Sequence, residues 1–390
     1  MMKKFLSKQV LWLFISILSF VTVFNSNCEN VEQIIAFGMK NQEASIDLKN
    51  QRVPVKKLSE TYKKVIYDNP DLFYVSNEFN CIHNNSIVLK LKPSYLYNKT
   101  ITKSMTKLFN SVANDIVNRI DKSLPDIDKA LLAHDILAQS CRYDISNNKN
   151  QLSYSAYGVF INKVAVCQGY SLAYKYILNK LGIPCTIVSS KSMKHAWNLV
   201  KIKNNYYHVD VTWDSCMNSN IGIVKHSNFM RGEAGIRKTG HTGNDWVVNN
   251  ASVKWSSSDL YDESRLDKIA SAVHYMNKEY YYLDEKGNLT KNGSIIHNID
   301  SNLWPVFNKK NYYYQGCYSA LCKSSNKLYY NTKNAIYMYD TATNECKKVY
   351  EYLRNDGYIY GMCMNSDNNL VLHIATQPND IGTYKLLMLK

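Results

Sequence analysis

The sequence predicts an α+β protein: a core in which one helix packs on an antiparallel sheet, preceded by an α/β segment and followed by an all-β, blade-like region. Three observations predict this. After Cys167 the apolar residues Leu172, Tyr176, Ile177 and Leu181 recur at helical spacing, and Gly182 with Pro184 ends the run. Two strand-like runs then follow, His195–Ile202 and Tyr206–Asp214, joined at Asn204-Asn205 as a hairpin. Beyond Asp267, tyrosine-rich bursts bounded by Asn, Gly and Lys read as short strands.

The core element is the helix that Cys167 opens. A cysteine there feels the positive end of the helix dipole, which favours thiolate, the nucleophilic form. By itself such a cysteine is more often a small buried hydrophobe. The hairpin changes the balance, because it places His195 and Asp210 on adjacent strands. Nucleophile, base and base-orienter then follow in the order Cys, His, Asp. The backbone N–H of Cys167 is positioned to donate to an oxyanion. Gln168, Trp197 and Trp213 are the candidate substrate-binding residues, with core packing the competing reading for the two tryptophans.

The stretches Ala156-Tyr157-Gly158, Val166-Cys167-Gln168-Gly169-Tyr170, His195-Ala196-Trp197-Asn198 and His208-Val209-Asp210-Val211-Thr212-Trp213-Asp214 together resemble the transglutaminase-like core of bacterial secreted proteins. The resemblance covers roughly residues 125–250. It implies a papain-like fold and a triad of Cys167 as nucleophile, His195 as base and acid, and Asp210 as orienter. It further implies acyl transfer through a thioester, on a peptide or a glutamine carboxamide of a protein or peptide substrate. Whether water or an amine resolves the thioester stays open, so protease, amidase and transglutaminase are all compatible. The alternative is a non-catalytic envelope-binding or structural protein that uses the same fold. No cofactor is expected, and no acidic loop suggests calcium.

Residues 1–28 read as a signal peptide or N-terminal anchor: Lys3, Lys4 and Lys8 precede or flank an apolar run, Val10–Phe24, that is short for a membrane span. Asn25-Ser26-Asn27 offers no clean cleavage pattern, so an uncleaved anchor is the alternative, and membrane contact is expected only there. Asn27 before Cys28 disfavours lipidation. The expected location is secreted or cell-surface associated. The formal charge of +15 is spread without a Lys/Arg run, which argues against nucleic acid; it suits a solvated surface or attraction to an anionic envelope polymer.

The remaining segments are read as follows. Residues 29–123 form an accessory α/β domain, with a helix over Leu58–Tyr67, strands at Leu72–Val75 and Ser86–Lys92, and an amphipathic helix over Ile101–Ile120. Met105, Leu108, Val112, Ile116 and Ile120 are its expected apolar stripe. Residues 124–262 hold the core, opened by a helix with Asp126 as its N-cap. His134 within that helix is read as a satisfied core histidine. His208, His226 and His241 are too far apart in sequence for a compact ligand motif, and ten scattered cysteines lack metal-ligand spacing, so no metal is expected. Phe229-Met230 and Trp246 are expected to fold back onto the core. Residues 263–390 form the tyrosine-rich β domain, with too few strands for a full propeller.

Overall fold

The computed structural model describes residues 30–216, 221–249, 258–262, 265–298, 318–353, 356–378 and 380–389. The expected signal segment, Cys28, Cys317 and the tyrosine burst at 312–314 lie outside the described residues.

The N-terminal part begins with helix α1 (Val31–Lys40), strand β1 (Ile46–Asp47) and helix α2 (Val55–Asp68), followed by β2 (Val75–Asn84) and β3 (Ile87–Tyr95). The strands form an antiparallel sheet in the order β1-β3-β2. Pro93 does not stop β3, as the sequence suggests; it pairs with Phe79 beside a register shift. Proline is tolerated there because β1 pairs only with Lys90 and Leu91, so no ladder bond is asked of the Pro93 nitrogen.

Helix α3 (Lys99–Asn118) starts where Asn98 caps Ile101 N at 3.0 Å. Its buried face is Phe109, Ala113, Ile116 and Val117, while Leu108 is exposed, so the expected stripe is turned. Aromatic packing sets the rotation: Phe109 stacks on Phe73 with centroids 5.1 Å apart.

Helix α4 (Asp126–Ser140) is capped by Pro125, one residue before the expected cap, and is buried along most of its length. Short strands β4 (Arg142–Tyr143) and β5 (Val164–Ala165) run parallel and deliver the chain to α5 (Cys167–Lys180). Gly182, at φ +78°, ends the turn that follows.

Strands β6 (Cys185–Ser190), β7 (His195–Ile202) and β8 (Asn205–Val209) then build an antiparallel sheet. The hairpin turn is Lys203-Asn204, with Lys203 at φ +55°. The second strand is shorter than the sequence suggests: residues Val211–Asp214 form a helical turn, α6, because the Asp210 side chain caps Thr212 N and Trp213 N. Helix α7 (Glu233–Lys238) and strand β9 (Trp246–Val248) follow, and β9 extends the sheet to the order β8-β7-β6-β9. Phe229, Met230 and Trp246 do fold back onto this core.

The C-terminal region is mostly β. Strands β10 (His274–Met276), β11 (Glu279–Leu283), β12 (Leu289–Lys291) and β13 (Ser294–His297) form one antiparallel meander. A second comprises β14 (Leu321–Ser324), β15 (Lys327–Asn331), β16 (Ala335–Asp340) and β17 (Glu345–Glu351). A third has β18 (Tyr358–Met364), β19 (Leu370–Ala375) and β20 (Thr383–Leu387). Tyr281, Tyr330, Tyr339 and Tyr360 are buried, so these tyrosines serve as core residues. Gln139 of α4 donates to Gly222 O at 3.0 Å and to Leu321 O at 2.8 Å, which ties this region to the core. No helix among the described residues is long and apolar enough to cross a membrane.

Candidate active site

Cys167 is the first residue of α5 and is 8 % exposed. Its position depends on a close backbone approach. A Cβ on Gly169 would lie 2.6 Å from Ser153 O and 2.9 Å from Ser155 O, so only glycine lets the first turn of α5 lie against that loop. The Gly that follows Cys167-Gln168 thus has a packing reason. Among the described residues every cysteine is free, so the Cys167 sulfur is not locked in a bridge. Burial pushes the thiols of Cys141 and Cys185 up to about 12 and that of Cys363 to about 11, leaving them protonated at neutral pH.

His195 opens β7 opposite Ser190, and Asp210 directly follows β8. The register pairs Asn198 with Val209. Carried one step further it sets Asp210 opposite Trp197, on the face that His195 shares by alternation. His195 Nε2 lies 2.6 Å from Asp210 Oδ2, which leaves Nδ1 as the free ring nitrogen, and Cys167 is close enough to act electrostatically on the imidazole. Burial lowers the basicity of His195, but the charge and hydrogen bond of Asp210 outweigh it, with a further contribution from Cys167, and raise its pKa to about 10. Asp210 is 1 % exposed; burial works against its ionised form, yet the His195 and His241 imidazoles hold it well below the usual carboxylate range.

The sequence-derived substrate residues separate in the structure. Trp213 is 38 % exposed and its ring stacks on His195, with centroids 4.9 Å apart at 22°. Trp197 is fully buried and donates from Nε1 to His208 Nδ1 at 2.9 Å, so it acts as a platform beneath the histidine rather than facing a groove. Gln168 donates to Tyr154 O at 3.0 Å and accepts from Tyr67 Oη at 3.4 Å; both ends of its amide are engaged beside a crevice lined by Asn77, Gln151 and Leu172.

Two residues at the site escaped the sequence reading. Tyr143 pairs with Ala165, two residues before Cys167, and its phenol is close enough to feel the Cys167 charge. Burial and the neighbouring Cys167 raise its pKa. Only the aromatic residue leading into a polar loop hinted at it. The other is His241, whose Nε2 lies 2.9 Å from the same Asp210 Oδ2. A separation of thirty-one residues across an irregular loop left no periodic signal for it.

His134 is a core histidine, as its setting in an apolar helix suggests. Its Nδ1 lies 2.7 Å from Asp135 and its Nε2 3.2 Å from Asp214, while His226 Nε2 lies 2.9 Å from Asp135. Burial lowers its basicity, but hydrogen bonds to Asp135 and Asp214 raise the pKa to about 9. Ligand-type atoms cluster within 4.8 Å in both His134–Asp135–His226 and His195–Asp210–His241. In each group the carboxylate oxygens already accept from imidazole N–H groups, so a metal would have to displace those protons.

Residues 111–211 match the family model of the transglutaminase-like superfamily, a stretch that takes in Cys167, His195 and Asp210. This match supports a cysteine-based enzyme family for the segment. Among solved structures, a crystal structure of a TGase is similar at 15 % identity and a TM-score of 0.25, over 37 % of this chain and 47 % of that one; this chain therefore spans about half its length. A candidate cysteine protease from Cytophaga hutchinsonii is similar at 14 % identity and a TM-score of 0.24, over 48 % of this chain and 80 % of that one. No curated protein matches this chain at a significant level.

Proposed function

We propose that the protein is an exported cysteine acyl-transfer enzyme acting on a peptide bond or a glutamine carboxamide. The observation that carries this is the 2.6 Å contact between His195 Nε2 and Asp210 Oδ2, with Cys167 at the start of α5 near enough to raise the basicity of the same imidazole.

In the proposed cycle His195 takes the thiol proton and Cys167 Sγ attacks the carbonyl carbon. The S–C bond forms and negative charge moves to the carbonyl oxygen, within reach of the unpaired N–H groups of the first turn of α5. Collapse expels the amine, which leaves with the proton from His195 Nδ1. Asp210 stabilises the imidazolium while it exists. Water or a second amine then gives its proton to Nδ1 and attacks the thioester, releasing Cys167. Trp213, stacked over His195 at the solvent edge, shields the ion pair. Export rests on the charged and apolar N-terminal stretch. A lysine-rich surface is suited to an anionic envelope.

The test is Cys167-selective alkylation at neutral pH, read by peptide mapping and compared with Cys167→Ala and His195→Ala. Loss of fast labelling in both variants is expected. Labelling that ignores His195→Ala would overturn the assignment. Exposure to a peptide library, scored for cleaved and for cross-linked products, separates hydrolysis from amine transfer.

A further inference from the structure

The carboxylate of Asp210 has more partners than a triad requires. Its Oδ1 accepts from Thr212 N at 3.0 Å and Trp213 N at 3.2 Å. Its Oδ2 accepts from His195 Nε2 at 2.6 Å and from His241 Nε2 at 2.9 Å. A carboxylate can only accept, so both imidazoles carry a proton on Nε2. His241 is wholly buried, and its Nδ1 has no hydrogen-bond partner among the described residues. A buried polar atom left unsatisfied is destabilising. The ring is therefore poorly explained by its own satisfaction, and among the described residues its one side-chain hydrogen bond is with Asp210.

The surroundings hold His241 in place. Gly240, at φ +112°, admits the loop beside Trp213, whose ring would be 3.2 Å from a Cβ there. The His241 ring lies 4.1 Å from Trp213 and 4.9 Å from Trp197. Arg237 covers Trp246 at 3.9 Å and donates to Gly243 O at 3.1 Å, anchoring the loop on both sides.

We propose that His241 is a fourth, positioning member of the site: its Nε2–H locks the Asp210 carboxylate and shares the oxygen on which His195 depends. The inference rests on the Cys167–His195–Asp210 reading above. Sharing Oδ2 reduces the negative charge available to the His195 imidazolium, so His241 restrains how basic His195 becomes while keeping the carboxylate aimed. The other ionisable groups facing this assembly are Cys167 from α5, Tyr143 from β4, His208 from β8 and Arg237 from α7.

The test compares two variants of the full chain by the pH profile of Cys167 alkylation with iodoacetamide, mapped by mass spectrometry. His241→Phe keeps a ring against Trp213 and Trp197 but donates nothing. His241→Gln places an amide N–H near the position of Nε2. The Phe variant is expected to label about tenfold more slowly at pH 7, with its alkaline limb moved up by roughly half a pH unit or more, while the Gln variant stays within about threefold of wild type. If Phe does not fold, as read by thermal unfolding, His241→Met gives the same donor-free comparison at the length of Gln. Coincident profiles for donor-free and Gln variants would overturn the role of His241 while leaving the nucleophile reading standing. Absence of selective Cys167 labelling in the wild type would instead remove the proposed function itself, and this inference with it.

Discussion

Trp213 covers His195: the two rings lie 4.9 Å apart and within 22° of parallel, while the indole keeps 38 % of its surface in solvent. The indole thus separates water from a charge pair whose partner, Asp210, is buried. Water at that face would raise the local dielectric and weaken the pair. Trp213→Ala is expected to slow Cys167 alkylation by roughly tenfold, and Trp213→Phe to restore most of the rate. Rates equal to wild type in the Ala variant would show that the indole has no shielding role.

The histidine ion pairs set the pH range of stability. The ordinary imidazole value is 6.5, and the native values of His195 and His134 are raised to about 10 and about 9. A raised value means that the native state holds its proton more tightly. The stability this supplies is complete below pH 6.5 and is lost as pH rises through about 9 to 10. The carboxyls of Asp210 and Asp135 are lowered from 3.8, so their contribution is complete above that value and is lost on acidification below it. Urea midpoints measured from about pH 3 to about pH 11 should therefore fall at both ends; a flat alkaline side would contradict the paired histidines.

Asp135, on α4, ties two distant loop positions to that helix. It accepts from His134 at 2.7 Å, from His226 at 2.9 Å and from Val273 N at 2.7 Å, wholly out of solvent. Asp135→Asn removes the carboxylate partner of His226 and leaves His134 with Asp214 alone, in a buried site. The expected loss is about 3–5 kcal/mol in urea unfolding at pH 7. A loss below about 1 kcal/mol would mean that the cluster is solvated in a way these contacts do not allow.

Gly169 lies at the closest approach of α5 to the loop before it. Gly169→Ala forces a methyl to within 2.6 Å of Ser153 O, and neither partner is a flexible side chain. Destabilisation of about 1–3 kcal/mol is expected, with slower Cys167 labelling because the first turn must shift. Gly182→Ala is the contrasting control: no atom lies within 4 Å of its Cβ position, so only the strain of φ +78° acts there.

The elements that local chemistry controls are legible in the residues themselves. The apolar period after Cys167 and the positive-φ Gly182 lie within a few residues of the helix and the stop they determine. The hairpin is legible for the same reason, although its second strand ends earlier: the Asp210 side chain bonds Thr212 N and Trp213 N and turns the backbone into α6. The face of α3 is less legible, since its rotation answers to Phe73, far away in the chain.

By itself, then, the sequence determined the helix that Cys167 opens, the hairpin that carries His195 and leads into Asp210, and the β character of the C-terminal region. Periodicity and turn chemistry are encoded between near neighbours. Only the tertiary structure decided that Trp197 is buried while Trp213 meets solvent, that Tyr143 pairs beside the Cys167 turn, and that His241 shares the Asp210 oxygen with His195. Those facts depend on which segments pack together after long excursions of chain. The free energy that selects them comes from burying whole faces of the molecule, which no short window of residues contains.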